Sequence, residues 1–145
     1  YLVWVMGDSY PKEDFLERIE KFVSPNRVVT GMRVNVNEKG EFVSNDWRIN
    51  DKNIDKDISS MKVDWQYMTL NSMAMPREMF NKIGGFYKGY RGYGVADMDI
   101  VVQAKGLGAE MWVAPKAIIY HRDHPSKPDD GINKTVFDHR LKGMI

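Results

Sequence analysis

The sequence predicts an α/β domain, a mixed central sheet with flanking helices. Three observations carry this. Short apolar runs rich in β formers recur at 1–6, 27–36, 70–75, 109–114 and 117–121. Between them lie stretches with apolar residues at helical spacing, near 11–23, 76–83 and 96–106. Proline and glycine punctuate the joints, with Pro11 and Pro76 at expected helix starts and Gly84-Gly85 and Gly106 at expected ends. Strands alternating with helices in this way are the signature of α/β architecture.

The chain has 145 residues, which reads as a single domain over 1–145, with 122–145 as a C-terminal tail carrying a short helix. At this length about 70% of the unfolded surface can be buried, enough for a real core. There are 21 basic and 20 acidic residues, a net charge of +1, which removes the electrostatic case for a nucleic-acid partner. No apolar run approaches the roughly 18 residues of a membrane span. No signal-peptide pattern is present, and the absence of cysteine excludes disulfides and thiolate metal sites. These features fit a cytoplasmic setting. The ten methionines read as core filler.

Taken in order, residues 1–6 form a β-rich run that stops at Gly7-Asp8-Ser9. Pro11 then suits the first turn of a helix, with Glu13 and Asp14 in that turn and Phe15, Ile19 and Phe22 as its buried stripe. Asp8 is thus expected on a strand-to-helix turn, at the carboxyl end of a strand, where ligands of open α/β sheets sit. Turns also recruit Asp for its own hydrogen bonding. Residues 27–36 read as an alternating strand with Val28, Val34 and Val36 inward, and Asn37-Glu38-Lys39-Gly40 as a turn into a short returning strand. Residues 44–60 are polar and read as a surface excursion, with Trp47 as the large apolar side chain singled out there. Their aspartates, Asp51, Asp55 and Asp57, lack the spacing of a calcium loop.

The stretch from Gly84 to Asp99 is the most distinctive. It gathers Gly84, Gly85, Gly89, Gly92 and Gly94 with Tyr87, Tyr90 and Tyr93, then opens a helix at Asp97 and Asp99. Glycines permit positive φ and a close ligand approach, tyrosines offer flat faces for sugar rings, and an acid is held at a helix start. A Gly-rich connection with an N-capping Asp is the plainer reading. Asp97 and Asp99 are two apart, so on a helix they point roughly 200° away from each other and cannot share a proton. Asp97, nearer the helix mouth, is the better candidate to face a ligand. Further on, Ala114-Pro115-Lys116 separates two short strands, the second running into His121-Arg122-Asp123-His124. Histidines so placed can bind a divalent metal or can simply be surface polarity. Residues 132–142 read as a last helix, with Ile132, Val136, Phe137 and Leu141 inward.

At this point the order of features resembles the C-terminal half of a GT-A glycosyltransferase, of the family 2 and galactosyltransferase-like kind. Asn71, Pro76-Arg77-Glu78-Met79-Phe80 and Ile83-Gly84-Gly85-Phe86 resemble that family's "N-x-A-x-x-R-x-x-F-x-x-x-GGF" stretch. Arg91-Gly92-Tyr93-Gly94-Val95-Ala96-Asp97-Met98-Asp99 resembles its "WGWGGEDDD" motif. Val3-Trp4-Val5-Met6-Gly7-Asp8 resembles the strand that delivers the DXD motif, and residues 109–120 with His121 resemble the closing strands and metal-binding His.

The resemblance implies a metal-dependent transferase moving a sugar from a nucleotide-sugar donor to a glycan or other hydroxyl acceptor. Asp97 matches the catalytic base. Asp8 matches the last acid of DXD and His121 the C-terminal ligand, together holding Mn²⁺ or Mg²⁺. Tyr93 matches the aromatic wall of the sugar site, and Gly92, Gly94, Asn71, Trp65 and Asp99 complete the expected substrate-binding set. The chain departs from the family pattern at Met6 and Gly7, which stand where DXD has its first two residues, and at Ala96, which replaces the usual Glu. The family's nucleotide-binding half, which precedes DXD, is expected to be missing from this piece, leaving a sheet edge or apolar patch that a homodimer could cover. A catalytically inactive glycan- or partner-binding module is the alternative, and a metal-dependent hydrolase using Asp8, Asp97 and His121 ranks last.

Overall fold

The computed structural model describes residues 1–92, 94–125 and 131–144. It is mixed α/β. Two long strands form its axis: β3 (Arg27–Val36) and β7 (Glu110–Arg122), paired in parallel. Their neighbours are β1 (Leu2–Val3), β2 (Ser9–Pro11), β4 (Phe42–Asn45), β5 (Met61–Val63) and β6 (Met73–Met75). The sheet order is β1-β6-β3-β7-β2, with β4 also beside β3 and β5 also beside β7, all joined antiparallel except the central pair. The helices are α1 (Phe15–Glu20), α2 (Arg77–Ile83), α3 (Ala96–Gly106) and α4 (Ile132–Arg140).

The core lies on both faces of the sheet. Val28 joins a cluster with Met73, Met75, Ile100, Val101, Phe137 and Leu141, beneath α2, α3 and α4. Its neighbour Val29 points the other way, into Phe15 and Ile19 of α1 with Ala114, Ala117 and Ile119. Strand β3 is therefore buried on both faces from Val28 to Met32, and the simple inward–outward alternation expected of it does not hold.

Gly31 is where the packing is tightest. A Cβ there would meet the Ala117 carbonyl oxygen at 2.3 Å and Phe15 Cε2 at 2.9 Å. Opposite it the ladder register jumps, from Thr30 beside Val113 to Met32 beside Ile118. The bulge takes up Ala114-Pro115-Lys116-Ala117, and proline, lacking an N–H, is tolerated at such a place. What reads as a break between two strands is a bulge within one.

Other boundaries also differ from the sequence reading. Pro11 ends β2 instead of starting a helix, because Tyr10 and Pro11 pair with Tyr120 and Ile119. Helix α1 starts only at Phe15. Residues 70–72 form a 3₁₀ turn, so β6 is only Met73–Met75. In α4 Ile132 is exposed, while Asn133, Phe137 and Leu141 face in.

The polar stretch 44–60 is not merely a surface excursion. Arg48 within it is 0% exposed and Asp46 is 2% exposed. The Arg48 guanidinium donates to both Asp46 oxygens at 2.7 and 3.1 Å, to the Gly31 carbonyl at 2.8 Å and to the Tyr67 carbonyl at 2.8 Å. It thus fastens the excursion to β3 at Gly31, opposite the bulge in β7. Trp47 itself is half exposed and stacks on Tyr67, while Ile54 is the residue that reaches the core.

Removing one side of a buried, hydrogen-bonded ion pair leaves the other charge stranded. Arg48→Ala is expected to lower unfolding stability by about 3–5 kcal/mol, read from urea denaturation. Burial pushes the Asp46 carboxyl up, but its bonds from Arg48 and the Arg48 charge outweigh this and hold it below the ordinary range. Its stabilising contribution is therefore present above about pH 3.9 and lost as pH falls towards the depressed folded value. An acid titration of wild-type stability should show this loss, and Asp46→Asn should flatten it.

Candidate metal and sugar site

Sequence places Asp8 and His121 far apart, and the β2–β7 pairing brings them together. Ser9 lies opposite His121, and the Arg122 N–H donates to the Asp8 carbonyl at 2.8 Å. Asp8 therefore sits beside the carboxyl end of β7, but not at the end of its own strand as expected: β1 stops at Val3, and Asp8 leads into the edge strand β2 and not into a helix. His121 Nε2 lies 3.5 Å from Asp8 Oδ2. His124 Nε2 lies 3.1 Å from the same oxygen. Side chains three apart on a continuous strand face opposite ways. These two meet because β7 ends at Arg122 and the chain turns, the Asp123 N–H donating to the Val36 carbonyl at 2.8 Å.

One ligand atom from each of Asp8, His121 and His124 falls within 4.8 Å of the others. A carboxylate oxygen and two imidazole nitrogens suit a borderline divalent cation. The surroundings of His121 fit that use. Asn35, opposite it across the parallel ladder, donates through Nδ2 to Ser44 Oγ at 2.8 Å, which leaves Oδ1 turned to His121 Nδ1 at 3.1 Å. With the amide oxygen on this side, Asn35 is placed to accept from a protonated Nδ1, the tautomer that would leave Nε2 to ligate a cation shared with Asp8. This is the outer contact that ligating histidines characteristically make. Asn35 was not singled out from sequence; its only signal there is a polar residue on a strand otherwise rich in valine.

The electrostatics follow the geometry. Partial burial pushes the Asp8 carboxyl up, but the His124 bond and the His121 charge outweigh it and leave it lowered. Burial lowers His121, with Asp8 opposing and Arg33 and His124 assisting. The Pro125 carbonyl and then Asp8 raise His124.

The remaining expected residues lie along the Gly-rich loop and the core. Asp97 is in the first turn of α3, half-buried, its Oδ1 accepting the Met98 N–H at 3.0 Å. Among the described residues no hydrogen bond or ion pair joins it to Asp8, His121 or His124. Gly92 and Gly94 both adopt positive φ, at 71° and 101°. Tyr93 lies outside the described residues. Asn71 is half-buried and accepts from Thr69 Oγ1 at 3.1 Å. Trp65 is in the core against Phe137. Asp99 is buried and bonded to Tyr90, Gln103 and Arg140.

The family described as the N-terminal domain of galactosyltransferase matches residues 53–125. That span takes in the Gly-rich loop, Asp97 and both histidines. The chain belongs to this family. At that level it is a galactosyltransferase-like glycosyltransferase domain, and the sequence resemblance and the mixed α/β fold agree with the match. No curated protein matches the chain at a significant level. No helix among the described residues is long and apolar enough to cross a membrane.

In the galactosyltransferase-like domain without metal, His121 should titrate below the ordinary imidazole value of about 6.5 and His124 above it. Asp8→Asn removes the charge that raises both, so both should shift down, as ¹H–¹⁵N NMR of the two rings would show.

Proposed function

We propose that this domain moves a sugar from a nucleotide-sugar donor to an acceptor hydroxyl, with Asp97 as general base and a divalent cation at Asp8, His121 and His124, where two imidazole donors favour Mn²⁺ over the harder Mg²⁺. The observation that carries the proposal is the Asp8–His121–His124 cluster, with the Asn35 amide against His121 Nδ1, in a chain of the galactosyltransferase family. A cation held there would neutralise charge developing on the departing diphosphate.

The chain's own residues supply the rest. One Asp97 oxygen is engaged with the Met98 N–H, which orients the carboxylate and leaves the other oxygen for the acceptor. Asp97 takes the hydroxyl proton as the acceptor oxygen bonds to the anomeric carbon, and the diphosphate leaves with the electron pair of the broken bond. Gly92 and Gly94, with no Cβ, let a sugar approach the backbone closely. Asn71 and Tyr93 complete the proposed substrate side, whereas Trp65 is packed in the core and Asp99 is buried and bonded to Tyr90, Gln103 and Arg140.

A second reading, a glycan-binding module without turnover, has its own support. Met6, 45% exposed, stands where a carboxylate is expected, and Ala96 stands beside the proposed base.

Transfer from a panel of UDP-sugars to monosaccharide acceptors, with and without Mn²⁺, separates the two. The transferase reading expects Mn²⁺-dependent turnover that falls by at least about 10²-fold in Asp97→Asn while Mn²⁺ binding is retained. It expects Asp8→Asn and His121→Gln to lose the cation. Turnover indifferent to both Mn²⁺ and Asp97→Asn contradicts it. Acceptor-sugar binding by calorimetry, without donor binding or turnover, favours the module.

A further inference from the structure

The backbone leading into Asp97 follows an unfavourable course. Gly92 and Gly94 are at positive φ, and so is Val95, at 54°. Glycine tolerates this. A β-branched residue does so only when its surroundings over-determine it. Val95 is also the residue from which α3 starts, two before Asp97. Something must hold this segment, and the structure shows a polar contact on each side of it.

The first contact is at Arg91. Asn133, 2% exposed, accepts the Arg91 N–H at 2.9 Å through Oδ1 and donates to the Arg91 carbonyl at 2.8 Å through Nδ2. A side-chain amide thus does for one residue what a neighbouring strand would. The second contact is at Asp99, also 2% exposed. Its carboxylate accepts from the Tyr90 hydroxyl and Gln103, and from Arg140 Nε at 2.9 Å. The same guanidinium lies 3.8 Å over the Tyr87 ring. Burial pushes the Asp99 carboxyl up, and the Arg140, Tyr90 and Gln103 bonds outweigh it, so the group stays charged.

Both contacts come from one helix. Asn133, Phe137 and Arg140 stand at i, i+4 and i+7 of α4, a single face. Phe137 between them seats the helix on the core against Trp65. An all-apolar face would be the simpler way to pack a short helix, since buried polar groups cost stability unless paired. Here the polar groups are paired, and what they pair with is the loop.

We propose that Asn133 and Arg140 are positioning residues: from α4 they fix Arg91 and Asp99 and so hold the strained turn at Val95 that leads into Asp97. Neither touches the reacting atoms. The catalytic meaning of the contact rests on the reading of Asp97 as base, whereas the holding of the loop does not.

The test uses the full chain and two readouts, amide hydrogen exchange and steady-state transfer. Arg140→Lys removes the stacked, forked guanidinium. Tyr90→Phe removes one Asp99 partner without touching a charge, and serves where a charge-network variant fails to fold. Asn133→Asp keeps the acceptor for Arg91 and loses the donor. Lys134→Ala, on the exposed face of α4, is the control. Exchange at residues 94–98 should rise at least about tenfold in the three loop variants, with β3 and β7 amides unchanged and the control like wild type. In the same variants kcat should fall while the donor KM stays near its wild-type value. Unchanged exchange at 94–98, exchange rising equally through the central strands, or a loosened loop with unaltered kcat would each overturn the proposal. Should the wild type transfer no sugar, confined loosening still supports α4 as the holder of the loop, and the failure falls on the transferase reading alone.

Discussion

The parallel pairing of β3 with β7 is the constraint on which the rest depends. Parallel strands need both faces covered, and here α1 closes one face while α2, α3 and α4 close the other. The pair also fixes register at the end that matters, since Asn35 is opposite His121 only if the ladder is aligned beyond the bulge. That alignment depends on Gly31. With any side chain there, α1 or the Ala117 carbonyl would have to move. Arg48 binds the Gly31 carbonyl from the other direction, so a charged residue in a polar loop stabilises the same point. One crowded glycine therefore connects core packing to the geometry of a candidate site several residues further along each strand.

Much of this was legible in the sequence because it follows from period and punctuation. The long strands, α2 and α3 stand close to where apolar spacing puts them. The Gly84 stop is a left-handed C-cap, as a glycine pair after a helical run implies. Misreadings came where tertiary contact overrode local signal. Pro11 is compatible with a helix start and with an edge strand, and only its pairing to Ile119 decides. Ala114-Pro115-Lys116 carries turn chemistry, yet β7 runs through it as a bulge, and Gly31, lacking a Cβ, lets the Ala117 carbonyl come close to β3 there. Arg48 sits among Asn, Asp and Lys, and nothing local distinguishes a buried arginine from a solvated one until Asp46 and two carbonyls are found around it.

The candidate site divides in the same way. Asp8 and His121 were legible through an ordered family resemblance, and their meeting is a consequence of β2 lying beside β7. His124 had a visible signal, a second histidine three residues on, but its arrival depends on where the strand ends. Asn35 had almost none, because its part is to orient another side chain. Asp97 is a different case. Its position at the mouth of α3 was readable from spacing, but the left-handed Val95 before it and the two polar contacts that flank it belong to three dimensions. The larger pattern is a domain with one end where a ladder brings the Asp–His–His cluster together, and one loop where a short helix supports the proposed base.

The central claim is that these two parts serve one reaction. A crystal structure with Mn²⁺ and UDP, using anomalous scattering to locate the metal, tests it most directly. The account predicts a single Mn²⁺ peak bound by Asp8, His121 and His124, the diphosphate on it, and the Asp97 carboxylate lining the same cleft on the side left open for a sugar. A peak elsewhere, or an Asp97 carboxylate separated from the diphosphate by packed core, would contradict it.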